Sequence, residues 1–258
     1  MKLARLALAL LVGLLVAALA GCASPADNSA SFAAWASGQK FVASVDAHPR
    51  SGTMGPYGMS AHLVVDAAIA ADELEALASA AWDKAAELGI TSSEINLIVG
   101  NAWGFSVDDA GTHVAMINQL RDDPAFVGAT VEYQPLDYTP GYSGGVRGTV
   151  GSQAALRGAN DVLIAAVLDN GGDLDGVTIG ASTADGAFGI IGEGDVQPLT
   201  AIQLWQAISA RVQLLTAQAT LPHSGPERLE ITVGSAADQA VAEAIGSEHP
   251  DVKLTVGL

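Results

Sequence analysis

From residue 60 onward, two periodicities take turns along the chain. In EINLIV the apolar residues Ile95, Leu97 and Val99 point one way while Glu94 and Asn96 point the other, and LEITV from Leu229 and VKLTV from Val252 alternate in the same manner. A period of two predicts strands with one buried and one wet face. Strands buried on both faces of a parallel sheet would read as unbroken apolar runs, so a doubly wound nucleotide-binding sheet is disfavoured. Between the strands, apolar residues recur at helical spacing. In DELEALASAAWDKAAELG the residues Leu74, Ala78, Ala81 and Ala85 form one stripe, Asp72 and Glu75 make a capping-box pattern ahead of it, and Gly89 ends it. Further helices are predicted over 110–121, over 152–169 with a stop at Asn170-Gly171, over 198–218 with Pro198 near the first turn, and over SAADQAVAEAIG, capped by Ser235 with Asp238 and stopped by Gly246.

Residues 61–133 therefore run strand, helix, strand, a hairpin turn at Gly100-Asn101, strand, helix, strand. Residues 145–234 repeat that order, with a hairpin near Ala184-Asp185-Gly186. The βαββαβ order is the ferredoxin-like arrangement, two helices on one face of a four-stranded antiparallel sheet. The expected fold is α+β: two tandem ferredoxin-like α/β sandwich halves with antiparallel sheets, residues 40–134 and 144–258. Within these halves an extra strand near 41–47 precedes the first repeat, 61–133, and an extra C-terminal helix and strand over 236–256 follows the second, 145–234. YQPLDYTPGYSGG connects the halves, and its three tyrosines suit packing between them better than ligand recognition.

The first 21 residues carry a different pattern. Lys2 and Arg5 precede an apolar run from Leu6 to Val16, and small residues follow, which is the layout of an export signal. The run to Ala20 is shorter than the roughly 20 residues that cross a bilayer as a helix. Cys22, the one cysteine of the chain, stands directly after it. Leu19-Ala20-Gly21-Cys22 resembles the lipobox of bacterial lipoproteins. The resemblance implies cleavage after Gly21, a diacylglyceryl group on Cys22, and anchoring to the extracytoplasmic face of a cell membrane. On that reading residues 1–21 are a lipoprotein signal peptide and 22–39 a lipidated tether, with Phe32 and Trp35 spaced for a helical turn docked on the body. A single cysteine forms no disulfide within the chain, so stability has to come from the core.

Charge narrows the partners. The signal holds two of the 11 Lys and Arg and none of the 28 Asp and Glu, which leaves 9 basic against 28 acidic residues, a formal charge of −19. Such a surface repels nucleic acid and anionic headgroups, so lipid rather than a basic patch must hold the protein to its membrane. With 50% hydrophobic and 15% charged residues, the chain is able to bury a sizeable core.

Candidate chemistry is sparse. HPRSGTMGPYGMSAH, between the first two strands, gathers His48, Met54, Met59 and His62, and thioether with imidazole suits Cu(I). The plainer reading has the methionines covering a sheet edge and His48 serving the turn before Pro49. Gly141-Tyr142-Ser143-Gly144-Gly145 matches the G-x-S-x-G nucleophile elbow, with Asp169 or Asp195 and then His223 or His249 following in order. An elbow needs a strand before the serine and a helix after it, whereas here a Pro-Gly turn precedes and the strand VRGTV follows. DNGGDLDG from Asp169 fails the EF-hand spacing and suits a helix-terminating turn. His113 opens a helix, while His223 and His249 lie in turns beside proline. Trp82, Trp103 and Trp205 suit core positions, and no phosphate-binding glycine loop appears. The sequence thus points to a non-catalytic binding or interaction module of the cell envelope, with an envelope protein as partner, acting through a groove between the halves or an exposed sheet face. Copper or small-ligand binding by the His48–His62 loop is the alternative, and hydrolysis by Ser143 the third.

Overall fold

The computed structural model describes residues 25–50, 58–90, 92–132 and 144–258. Eleven strands form one sheet and pair in the order in which they occur along the chain. After helix α1 (Pro25–Ser37) comes β1 (Val42–Arg50), antiparallel to its neighbour β2 (Gly58–Val65). Five βαβ units follow. They are β2–α2 (Ala71–Glu87)–β3 (Ser92–Val99), β4 (Trp103–Ser106)–α3 (Thr112–Asp122)–β5 (Phe126–Glu132), β6 (Gly145–Val150)–α4 (Leu156–Asp169)–β7 (Thr178–Thr183), β8 (Phe188–Glu193)–α5 (Leu199–Ser209)–β9 (Leu214–Thr220), and β10 (Glu227–Val233)–α6 (Ala236–Gly246)–β11 (Val252–Gly257). The two strands of each unit are parallel neighbours. Successive units meet in antiparallel pairs.

The α+β class holds, but a tandem ferredoxin-like arrangement is not confirmed. In that split βαβ arrangement another strand lies between the two that flank a helix. Here those two are hydrogen-bonded to each other, so the sheet is mixed, and β5 pairs with β6 to make it continuous across residues 132–145. Element order is common to both topologies. Periodicity says where a strand lies but not beside which strand a crossover lands.

Three local expectations change as well. Residues 214–220, expected within a helix reaching 218, are β9: Ala217 and Ala219 are buried while Thr216 and Gln218 are exposed, a period of two hidden in the run VQLLTAQAT. The extra C-terminal helix and strand are accordingly completed by β10 into a fifth unit. The stretch read as a tether is, from Pro25 on, α1, with Phe32 fully buried and packed 5.4 Å from Trp35. Asp72 does not cap α2. The helix starts from Ala70 without a side-chain cap, and Glu75 instead accepts from Asn118 Nδ2 on α3 at 3.0 Å.

Other signals read as expected. Gly100 (φ +58°) and Asn101 (φ +63°) form the β3–β4 turn, a left-handed pair suited to a tight hairpin. In the β7–β8 turn the Thr183 hydroxyl donates to Asp185 at 2.5 Å and Ala187 N–H at 3.0 Å, which together hold that carboxyl below its ordinary value. Ser235 Oγ accepts from Asp238 N at 3.1 Å and caps α6. The stripe Leu74, Ala78, Ala81 and Ala85 is buried against the sheet together with Ile95, Leu97 and Val99. No helix among the described residues is long and apolar enough to cross a membrane.

Candidate functional site

Strand alternation divides the sheet into two unlike faces. Residues such as Leu63, Leu97, Val131, Ile179, Ala219 and Ile231 point under the helices and are buried. The register aligns a second set on the other face, and among the described residues no helix covers it. That set runs from Asp46, His48 and Arg50 on β1 through Ser60 and His62, Glu94 and Asn96, and Thr130 to Arg147 and Thr149 at the centre. It continues through Gly180 and Ser182, Ile191 and Glu193, Gln218, Glu230 and Lys253 to the far edge. Charge gathers at the two sides, where Arg50 Nη1 meets Glu94 Oε2 at 2.7 Å. The middle is short hydroxyl side chains and glycine around Arg147, with Glu132 on the same face opposite Gly145, and Arg147 forms no ion pair among the described residues. A surface of this kind offers hydrogen-bond donors and acceptors at the fixed spacing of the strands.

The predicted copper ligands fall on both sides of this divide. His48 and His62 share the open face as diagonal neighbours across β1 and β2, and His48 Nε2 lies 2.6 Å from Asp46 Oδ1. Met59 pairs with Pro49 on the opposite face and is fully buried in the core. Its thioether cannot join the two imidazoles while β2 stays in register. Met54, Ser143, Gly21 and Cys22 lie outside the described residues. Asp169 and Asp195 are exposed, and His223 pairs with Glu193 at 2.7 Å, which raises its pKa above the ordinary value. His113 is buried with Nδ1 2.6 Å from the Ser106 carbonyl, beneath Asp108, whose carboxylate accepts from Thr112 N and His113 N at 2.9 and 3.1 Å. That cluster closes the start of α3 and is structural. Among the described residues no three His, Cys, Asp or Glu side chains gather as a metal site requires.

On the helical side, a cavity of about 420 Å³ opens between α4 and α5. Leu156 on α4, Ile190 on β8, and Ile202 and Trp205 on α5 make its apolar lining, and Gln153, Arg157 and Gln206 stand at the polar positions. Trp205 is 6% exposed, and its ring lies nearly parallel to that of Phe188, with centroids 5.9 Å apart. Sequence reasoning took Trp205 for a core residue and passed over Arg157. A signal was nevertheless present in the sequence. No Asp or Glu occurs between Asp137 and Asp161 or between Asp195 and Glu227, the two longest such runs after residue 27, and they supply most of this cavity's walls.

The chain thus belongs to the α+β class, with a mixed sheet whose helices, among the described residues, cover one face. No protein-family model, curated protein or solved structure matches it.

Proposed function

We propose that this chain is a cell-envelope lipoprotein, held at the extracytoplasmic membrane face by lipid on Cys22, and that it works as a non-catalytic interaction module. The observation that carries the second part is the bare face of the eleven-stranded sheet. A sheet normally covers an apolar face, and this one keeps its helices on one side and presents polar groups on the other. Short hydroxyls, glycine and charges of both signs suit a hydrated interface with a folded envelope protein, in which direct and water-mediated hydrogen bonds fix register and charge selects the partner. Arg147, central and in no ion pair among the described residues, is the anchor for a carboxylate of that partner. We further read the unit pairs β2–β5 and β6–β9 as duplicated copies of one ancestral segment, since they repeat the same order of elements.

Two experiments test the reading. Changing Cys22→Ser should move the protein from the detergent-extractable membrane fraction to the soluble one; persistence in the membrane fraction would refute the lipid anchor. A photoreactive residue at Thr149 should give one discrete protein adduct in native envelopes, abolished by Arg147→Glu, while the same group at Gln203 on α5 gives none. Adducts from both faces alike, or from neither, would count against the sheet face as the interface.

A further inference from the structure

The helical layer is closed along most of its length. α2 packs on α3, α3 on α4, and α5 on α6. In the first unit pair, Asn118 Nδ2 on α3 crosses the seam to Ala71 O and Glu75 Oε1 of α2 at 3.2 and 3.0 Å. The corresponding helices of the second pair, α4 and α5, stand over an identical strand arrangement, a parallel crossover, a hairpin and a second crossover, yet the seam between them is the 420 Å³ cavity. Topology therefore does not force the gap. The gap is open to solvent on the side of Gln153, Arg157 and Gln206, and along its floor Leu156, Ile190 and Trp205 lack the contacts that a closed helix seam would give them.

The lining indicates what would fill it. Leu156, Ile190 and Trp205 are buried yet border the cavity, so its floor is apolar. Trp205 is 6% exposed and its indole N–H has no hydrogen-bond partner among the described residues, so that donor is open to solvent rather than sealed in the core. Arg157 is exposed at the mouth and makes no ion pair among the described residues, not even with Asp161 one helical turn on. In a chain with 28 acidic residues against 11 Lys and Arg, an arginine kept clear of carboxylates beside an apolar cavity is notable, and both walls come from the carboxylate-free runs. The volume falls in the range of roughly 300–1,000 Å³ typical of small-molecule sites.

We infer that the cavity between α4 and α5 binds a small aromatic monocarboxylate, its carboxylate paired with the Arg157 guanidinium and its ring against Trp205 and Ile190. The planar guanidinium meets a carboxylate with two parallel hydrogen bonds, the amides of Gln153 and Gln206 supply further donors, and the apolar floor accepts the ring. The net negative charge of the protein works against anions at long range, so affinity depends on this short-range pairing and discriminates sharply against neutral analogues.

The test uses the full chain in neutral detergent, with phenylacetate as the probe and phenylacetamide as its uncharged match. Titration followed by two-dimensional NMR of the tryptophan indole N–H groups should shift the Trp205 resonance, identified by its loss in Trp205→Phe, and leave those of Trp35, Trp82 and Trp103 in place. Phenylacetamide, and phenylacetate with Arg157→Gln, should each bind about tenfold or more weakly, while Arg228→Gln on the opposite face leaves affinity unchanged. Ala154→Trp should block the cavity and abolish the shift with the melting temperature retained. Absence of saturable binding, equal binding of acid and amide, or full binding by Arg157→Gln would each overturn the assignment. Because none of these readouts involves Cys22 or a partner protein, failure here is distinguishable from failure of the interaction reading.

Discussion

At the scale of single residues, the signals with a local cause were legible and those with a distant cause were not. Gly100-Asn101, Asp185 and Ser235 act through their own backbone neighbourhood, so the sequence around them contains the whole reason for their presence. Ser235→Ala removes the acceptor for Asp238 N–H, and urea unfolding should record a loss of about 1 kcal/mol. By contrast, the absence of a carboxylate at Arg157 is a property of two segments about 50 residues apart in sequence, visible only after they are folded together. The same holds for His223, whose partner Glu193 lies 30 residues earlier. The Glu193 carboxylate hydrogen-bonds the imidazole and favours its charged form, raising the pKa above 6.5 in the folded state. A raised folded-state pKa makes the pair's contribution to stability complete below pH 6.5 and removes it as pH climbs through the higher folded value. Both groups border solvent, so screening keeps the effect small. The sensitive measurement is the NMR titration of the His223 ring protons. Its midpoint should stand above 6.5 and fall back in Glu193→Gln; a midpoint indifferent to that change would break the assignment.

At the scale of elements, type was readable wherever apolar spacing was unambiguous. Helix α2, the strands around Ile95 and Leu229, and the stop at Asn170-Gly171 follow from the sequence pattern. The misreading at 214–220 has a definite cause. The helical pattern of α5 ends at Ser209, and the residues that follow include Ala210, Arg211, Gln213, Leu214 and Leu215, which favour helix intrinsically, while burial in the sheet decides for strand. The two assignments make opposite demands on neighbouring positions. Ala217 is 1% exposed beneath the helices and Gln218 points to the open face. Ala217→Asp should therefore bury an unpaired charge and cost about 3 kcal/mol or more, whereas Gln218→Asp should stay within about 0.5 kcal/mol of the parent. Comparable losses at both positions in chemical denaturation would contradict the register of β9. Met59 shows the same logic in the candidate site. A loop without periodicity lets four ligands be imagined together, and one strand residue's parity separates Met59 from His48 and His62.

At the scale of the whole molecule, strand order is the feature the sequence left open, and it governs how the fold comes apart. Because the eleven strands pair in chain order, β1 and β11 are opposite edges, and packing runs between elements close in sequence. Stability in such a ladder is nearly a sum over neighbouring units, so its ends open before its middle. The C-terminal end is thinly buried. Ala242 is the buried residue of α6 and Val252 that of β11, while β10 still buries Leu229, Ile231 and Val233. Hydrogen exchange should accordingly show the β11 amides that pair with β10 opening at a lower free energy, and with less dependence on urea, than the amides of β3. Equal protection and equal urea dependence in both strands would mean that the sheet unfolds as one cooperative body. A soft end is compatible with both proposed surfaces. The cavity between α4 and α5 and the central Arg147 lie in strands β6 to β9 and the helices above them, flanked on each side by paired strands. Ligand held there should raise the protection of α4 and α5 by mass action and leave the β11 opening almost unchanged. Both proposed sites thus fall in the middle of the ladder, flanked by paired strands, where preorganised groups lose least freedom on binding.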